Sequence, residues 1–316
     1  MQQNNKVAAI IIAYNGARHL ANAINSIKQS GLSDIYVYDN NSTDQSAQIA
    51  ECSGCKVMKG KRNLGYGSAI NIIIDAIKSK FDHFLILNQD AILIGDCVVK
   101  LLEEIENCTV CYPFMTEKED IEIGNLPIAF STQYGWLLYE QLSARVVETN
   151  FFHGGCFLLN FNRYKEISNG RKLFDEALFM YHEDLEASLY IWNNNGSIRY
   201  VSDAICHHPD DRPKPLAIEY GMSNYFYVLK RYGLHRKIFT YRPYIHFVMK
   251  TIVKHYINRE WLRHDQVYFL LIKGIAFGIC KMVVKRTNYH LTKKYNFNKK
   301  ICANLSYFSQ NLIMHS

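Results

Sequence analysis

The chain has 316 residues, 48% hydrophobic and 13% aromatic with six prolines, so it can bury a large core and is not globally disordered. Its net charge of +7 is unevenly spread: residues 212–316 hold 19 Lys/Arg against three acids, or +16, which leaves the first 211 residues with 17 basic and 26 acidic side chains, or −9. Two halves of opposite sign predict two jobs. A basic, aromatic-laced last third suits an anionic surface, meaning phospholipid headgroups, lipid diphosphates or nucleic acid.

The first 16 residues lack the basic start of a secretion signal, and the apolar run 7–13 is too short for one, so it reads as a first strand of an unsecreted protein. Further strands are expected at 35–38, 56–58, 84–87 and 109–112. These runs are apolar rather than alternating, which predicts a sheet covered on both faces. Between them, Leu20, Ile24 and Ile27, and then Ile70, Ile73, Ile74 and Ile77, recur at helical spacing. The fold class is therefore α/β, a doubly wound, mostly parallel, Rossmann-like sheet.

Ligands bind such sheets outside the carboxyl ends of the strands. Here those ends are polar: Ala13-Tyr14-Asn15-Gly16, Asp39-Asn40-Asn41-Ser42, Asn63-Leu64-Gly65 beyond the third strand, and Asn88-Gln89-Asp90. All four are expected to face one crevice.

The pattern weakens over 117–134. It resumes with His153-Gly154-Gly155, a candidate ligand-contact loop, then a strand at 156–159, a helix from Asn162, and Phe174-Asp175-Glu176. Tyr181-His182-Glu183-Asp184 opens a helix running to about Asn193, followed by a strand at 198–201 and His207-His208. Further on, the apolar stretch 267–284, broken by Lys273 and Lys281, is either a helix packed on the catalytic domain or one lying in a membrane interface. Nine scattered cysteines, an odd number, fit reduced thiols in the cytoplasm. Cys52-x-x-Cys55 and Cys108-x-x-Cys111 have zinc spacing, but Cys111 lies in an apolar run and Cys52 at a helix end, which favours plain thiols.

Each chemical candidate has an ordinary alternative. Asp90 alone could cap a helix, yet a hard cation bridging a diphosphate needs only one or two protein carboxylates. Asp39 could shape a turn or accept hydrogen bonds from a pyrimidine imide or a ribose hydroxyl. Asn63-Leu64-Gly65 could be a plain loop, or a helix start whose free N–H groups hold phosphate. Glu183 and Asp184 could simply favour the helix dipole, or offer a partly desolvated carboxylate that deprotonates a sugar hydroxyl. His207 and His208 could be surface residues, or one could ligate metal beside Asp90.

Taken in order, Ile12-Ala13-Tyr14-Asn15, Tyr38-Asp39-Asn40-Asn41-Ser42-Thr43-Asp44, Asn63-Leu64-Gly65-Tyr66, Leu87-Asn88-Gln89-Asp90, Phe174-Asp175-Glu176 and Tyr181-His182-Glu183-Asp184 resemble the family 2 glycosyltransferases of GT-A fold, in the branch that includes bacterial rhamnosyltransferases. The resemblance runs from Val7 to about Lys237. It implies that Asp39 binds the nucleobase of a dTDP- or UDP-sugar, that Asn63 and Gly65 lie near the diphosphate, and that Asp90 holds Mn2+ or Mg2+. It also implies that Asp184 is the catalytic base and that His207 or His208, slightly favouring His208, completes the metal shell. Gln89 stands where this branch usually has Pro, Glu186 where the usual acid is Asp, and Tyr190 where an Arg commonly follows.

The expected organisation is a catalytic domain over 1–211, with a nucleotide-sugar half at 1–113 and an acceptor half at 114–211, then a basic helical region at 212–316. The expected reaction is inverting transfer of rhamnose or another hexose to a lipid-linked glycan hydroxyl in surface polysaccharide synthesis, O-antigen or capsule. The expected location is the cytoplasm, in peripheral contact with the anionic inner membrane face and without nucleic acid. Two other classes are weaker. A nicotinamide-dependent oxidoreductase needs a Gly-x-Gly-x-x-Gly turn where only Gly16 occurs, and a non-catalytic basic module does not account for acids at the strand ends.

Overall fold

Seven consecutive apolar residues make β1 (Val7–Ala13), and every one of them is buried. Its side chains divide by parity: Ala8, Ile10 and Ile12 enter one apolar cluster, and Val7, Ala9, Ile11 and Ala13 enter another on the opposite face. A strand that buries both faces needs helices on both, and the chain supplies them.

The computed structural model describes residues 6–116, 127–131, 136–139, 144–209 and 214–234. After β1 come α1 (Leu20–Gln29), β2 (Ile35–Asp39), α2 (Ser46–Cys52), β3 (Lys56–Lys59), α3 (Tyr66–Ile77), β4 (His83–Asn88), β5 (Ile92–Ile94), α4 (Cys97–Ile105) and β6 (Val110–Thr116). Then follow β7 (Pro127–Ser131), β8 (Trp136–Tyr139), β9 (Val146–Thr149), β10 (Cys156–Asn160), α5 (Phe161–Ser168), α6 (Glu183–Asn193), β11 (Ile198–His207) and α7 (Lys214–Arg231).

Nine strands form one sheet in the order β3-β2-β1-β4-β10-β6-β11-β5, with β9 also on β11; β7 and β8 make a separate hairpin. The β3-β2-β1-β4 half is parallel throughout. β10 then enters antiparallel between β4 and β6, β11 runs parallel to β6, and β5 and β9 lie antiparallel on β11. The sheet is thus mostly parallel, as composition and run length indicate. The antiparallel insertions are the part that local pattern does not show, because strand direction is set by the partner rather than by the residues.

Boundaries differ where pairing overrides propensity. β11 extends to His207, past a register shift between Val201 and Ile205, because its end pairs with both β5 and β6. On one face lie α3, α5 and part of α6; on the other lie α1, α2 and α4. Cys108 and Cys111 are buried, their Sγ atoms donating weakly to Glu104 O and Leu101 O.

A third apolar cluster joins Leu185 and Leu189 of α6 to Tyr227, Val228 and Leu229 of α7, with Phe151 and Leu178. Beside it, Asp175 and Glu186 meet Arg171 and Arg231 in a buried charge network. Arg231 Nη1 lies 2.5 Å from Asp175 Oδ2, and its Nε lies 3.2 Å from Glu186 Oε1, while Arg171 pairs with Glu186 from the other side. Tyr227 and Tyr232 donate their hydroxyls to Asp175 and Glu186. Arg171 also packs 4.0 Å over the ring of Tyr190, so a guanidinium reaches this acid from the loop after α5. The basic region past residue 234 and the stretch 267–284 lie outside the described residues, as does most of 117–134.

Candidate active site

The carboxyl ends of β1, β2 and β4 lie side by side, with Ala13 in register with Asp39 and Ile12 with Asn88. Asp39 is buried there, its Oδ1 accepting from Ser42 N at 3.2 Å. Tyr14, 44% exposed, stands beside it, a large aromatic left in solvent at the lip of the crevice. Gln89 clasps that residue's backbone: Tyr14 N donates to Gln89 Oε1 at 2.9 Å, and Gln89 Nε2 donates to Tyr14 O at 3.2 Å. Asn15 and Asn41 both hold left-handed backbone, which asparagine tolerates, and Asn15 Oδ1 accepts from Thr43 N. Gly16 N and Ala17 N donate to Ser46 Oγ and Asp44 Oδ2, so side chains already occupy the turn before α1.

The loop before α3 is a brace rather than an open phosphate cradle. Leu64 N donates to Asn40 Oδ1, Gly65 N to Asn63 Oδ1 and Tyr66 N to Phe179 O, so the three N–H groups expected to be free are engaged. Gly65 has φ 83°, and a Cβ placed on it would lie 2.0 Å from Phe179 O. Gly65→Ala therefore forces either the loop or the segment before α6 to move. That backbone, with φ 83° and ψ 175°, is open essentially only to glycine and costs any other residue about 1–3 kcal/mol, so a thermal melt should show a clearly lower midpoint, together with weaker donor binding. An unshifted midpoint with wild-type binding would contradict this packing.

Asp90 and His208 form the second group. His208 Nε2 lies 3.3 Å from Asp90 Oδ1 and 3.0 Å from Asn88 Nδ2, and the His153 ring lies 6.0 Å from that of His208. Burial pushes the Asp90 carboxyl up, but the hydrogen bond and charge of His208 outweigh it and hold the group below its ordinary value. His207 is placed differently: it ends β11 in register with Ile92 and Thr116, and the contact with Asp90 belongs to His208.

Among the described residues no set of three or more His, Cys, Asp or Glu gathers to hold an ion. The pair nonetheless fits a cation whose remaining positions are filled by phosphate and water. With Nε2 unprotonated, two lone-pair donors stand 3.3 Å apart. Neighbouring ligands of an octahedral ion with bonds of about 2.1 Å are separated by about 3 Å. Asn88 Oδ1 is buried and without a hydrogen-bond partner, and turning that amide over would present this hard oxygen, in place of Nδ2, to His208 Nε2.

Glu183 and Asp184 open α6. Asp184 Oδ2 accepts from Gly154 N at 3.0 Å, and its Oδ1 accepts from Leu185 N at 2.7 Å. Burial raises its affinity for a proton, while His182 and these two N–H groups pull it back. Glu183 is 8% exposed and its Oε2 has no partner; burial first, then the charge of Asp184, pushes its carboxyl up to about 8. Near neutral pH, Glu183 is thus mostly a neutral acid. Gly154 and Gly155 link this group to the others: Tyr66 Oη donates to Gly154 O at 2.7 Å, and Asn88 N donates to Gly155 O at 2.8 Å.

The raised Glu183 carboxyl has a consequence for stability. From its ordinary 4.5 up to about 8 the folded chain holds a proton that the unfolded chain has released. This group's contribution is therefore largest below 4.5 and is lost as pH rises through that window. Glu183→Gln is neutral in both states, so its stability relative to wild type should climb with pH across that range in urea titrations. A pH-independent difference would sink this assignment.

Residues 8–168 match the family model described as glycosyl transferase family 2. The chain belongs to that family. As a glycosyltransferase it has a short sequence likeness to Protein RfbJ of Shigella flexneri, 42% identical over 69 residues, which are 20% of this chain and 54% of RfbJ's length. In structure it is similar to the mannosyltransferase PcManGT of Pyrobaculum calidifontis in complex with GDP-Man and Mn2+, with a TM-score of 0.56 at 12% identity over 100% of this chain and 82% of that one. It is also similar to S. aureus TarS 1–349 in complex with UDP, with a TM-score of 0.53 at 14% identity over 93% and 94%. These likenesses show the GT-A fold.

Several residues of this glycosyltransferase that touch the site have roles the sequence does not show. Tyr66 closes one of the family-like motifs, yet only the fold buries its phenol, which burial and then the charge of Glu183 hold well above its usual value. Asn40 sits inside another such motif, and only the structure shows its amide bridging Leu64 N and Gly65 O. His19 reads as a helix-start residue, but its charge reaches Asp90. For each of these the partner lies on another element.

Proposed function

We propose that this glycosyltransferase moves rhamnose or another hexose from a dTDP- or UDP-sugar to a glycan hydroxyl, with inversion, in bacterial surface polysaccharide synthesis. The observation that carries the reading is one loop, 153–155, joining two chemically distinct groups. Its Gly154 N–H orients a part-buried carboxylate, Asp184, while its Gly155 carbonyl ties to Asn88, which touches the Asp90–His208 pair. A base on one side and an anion-side cation site on the other are the two requirements of a single displacement.

On this reading Asp39 accepts a hydrogen bond from the base or ribose, and Ala13, Tyr14, Asn15 and Asn41 form the wall around it. Asn63 and Gly65 hold the crevice edge against the segment leading to α6. Asp90 and His208, with Asn88 in support, would hold Mn2+ or Mg2+, which when bound neutralises the departing diphosphate. Asp184 takes the proton of the acceptor hydroxyl as that oxygen attacks the anomeric carbon. Glu183, protonated near neutral pH, keeps the base's neighbourhood apolar without competing for that proton. His153, Gly154 and Gly155 are assigned to contact with the donor or acceptor sugar, the His153 ring lying 6.0 Å from that of His208.

Among the described residues no helix is long and apolar enough to cross a membrane. The +16 of residues 212–316 supports a peripheral contact with an anionic bilayer and a lipid-linked acceptor. The test is a donor screen that measures nucleotide-sugar hydrolysis and transfer with Mn2+ or Mg2+. Turnover of one hexose donor that Asp90→Ala abolishes supports the reading, and no turnover with any donor overturns it.

A further inference from the structure

Two consecutive residues without glycine's freedom, Tyr181 and His182, take left-handed backbone immediately before Glu183 and Asp184, with φ 67° and 64°. Such a pair persists only where the surroundings impose it. The agent is on α7. Asn224 is completely buried, and its side-chain amide donates to Met180 O at 2.7 Å and to Tyr181 O at 2.9 Å. Those carbonyls belong to the two peptide units that flank Tyr181, so one amide group grips both sides of the strained turn.

Neighbouring residues of α7 complete the grip. The Tyr225 ring lies 5.1 Å from that of His182, and Gly221 faces the same ring, whose Nε2 would lie 4.0 Å from a Cβ placed there. His182 O accepts the first bond of α6, from Glu186 N. The turn's direction therefore fixes where Asp184 leaves the helix and how its carboxylate meets Gly154.

We infer that Asn224 is a positioning residue for the base: it holds the left-handed Tyr181–His182 turn that aims Asp184 at the acceptor hydroxyl. The inference rests on Asp184 acting as the base. It extends the catalytic apparatus into α7, a helix outside the strand ends that line the crevice.

The test compares Asn224→Ala and Asn224→Ser with wild type in the full chain. Misplacing a reacting group by about 1 Å costs about 100-fold in rate, so kcat for transfer should fall about 10- to 100-fold in Asn224→Ala. Asn224→Ser, which keeps one donor, should fall between it and wild type. KM for the donor should stay unchanged, because nothing at the strand ends has moved. Tyr181→Gly added to Asn224→Ala should restore part of kcat, since glycine adopts the left-handed backbone unaided.

Hydrogen exchange supplies a readout that needs no activity: amides of residues 181–185 should exchange faster in both variants, while those of β1 and β4 do not change. Full kcat in Asn224→Ala, loss confined to donor KM, no rescue by glycine, or unaltered exchange at 181–185 would each overturn the inference. If wild type turns over no donor, the proposed function fails on that arm alone, and the exchange experiment still decides whether Asn224 holds the turn.

Discussion

Replacing Asp184 by Asn is expected to lower the transfer rate by about 10²- to 10⁴-fold, the range that a positioned general base contributes, with donor binding retained. The substitution is nearly isosteric. An amide oxygen still accepts from Gly154 N or Leu185 N, so the fold and the crevice survive while the ability to take a proton is lost. Glu183→Gln is the matched control. Because burial and Asp184 already keep Glu183 mostly protonated below about 8, its neutral mimic should lose far less near neutral pH. Single-turnover kinetics on the two variants separate the roles. Equal losses, or a fully active Asp184→Asn, would remove Asp184 from the reaction.

The second large effect lies at the strand ends. Asp90→Ala removes one of the two groups that face each other across 3.3 Å and leaves His208 without its carboxylate partner. A cation on a leaving phosphate is worth several kcal/mol, and about 1.4 kcal/mol is tenfold, so transfer should fall on the order of 10³-fold. The signature is selective. Calorimetry with Mn2+ should show nucleoside diphosphate binding weakened and nucleoside binding intact, because Asp39 and the Tyr14 wall remain. Removing divalent ions with a chelator should bring wild type down to the level of the variant, and adding Mn2+ back should rescue wild type alone. If wild type loses nothing on chelation, the cation site is wrong even though the fold is right.

These two residues show how far local pattern reaches. Asp90 and Asp184 were both visible as acids placed where a strand ends or a helix begins, because the sheet pattern around them is written in apolar runs such as 7–13 and 84–87. The path between them was not visible. It runs through Gly154, Gly155, Tyr66 and Asn88, residues drawn from three separate segments, and the hydrogen bonds that join them depend on β10 entering antiparallel beside β4. Strand direction leaves no mark on composition.

His207 and His208 make the same point at one position. Side by side in sequence, they are nearly equal candidates, with the family resemblance leaning slightly to His208. The pairing of β11 with β5 and β6 absorbs His207 into the strand and leaves His208 to face Asp90. The loop at Asn63-Leu64-Gly65 went the other way: its glycine and its place before a helix were legible, but its N–H groups are spent on Asn40, Asn63 and Phe179.

By itself the sequence determined the layered α/β core, the strand ends where polar residues gather, and the acids that stand there, because burial on both faces demands unbroken apolar runs and chemistry must lie where those runs stop. The tertiary structure alone decided how His208 meets Asp90, that the Gly154 N–H and the Gly155 carbonyl link the two carboxylate groups, and that Asn224, forty residues beyond the base, grips the turn before it. Hydrogen bonds between distant segments cost the sequence no periodicity and leave no local trace, so only the folded chain reveals them.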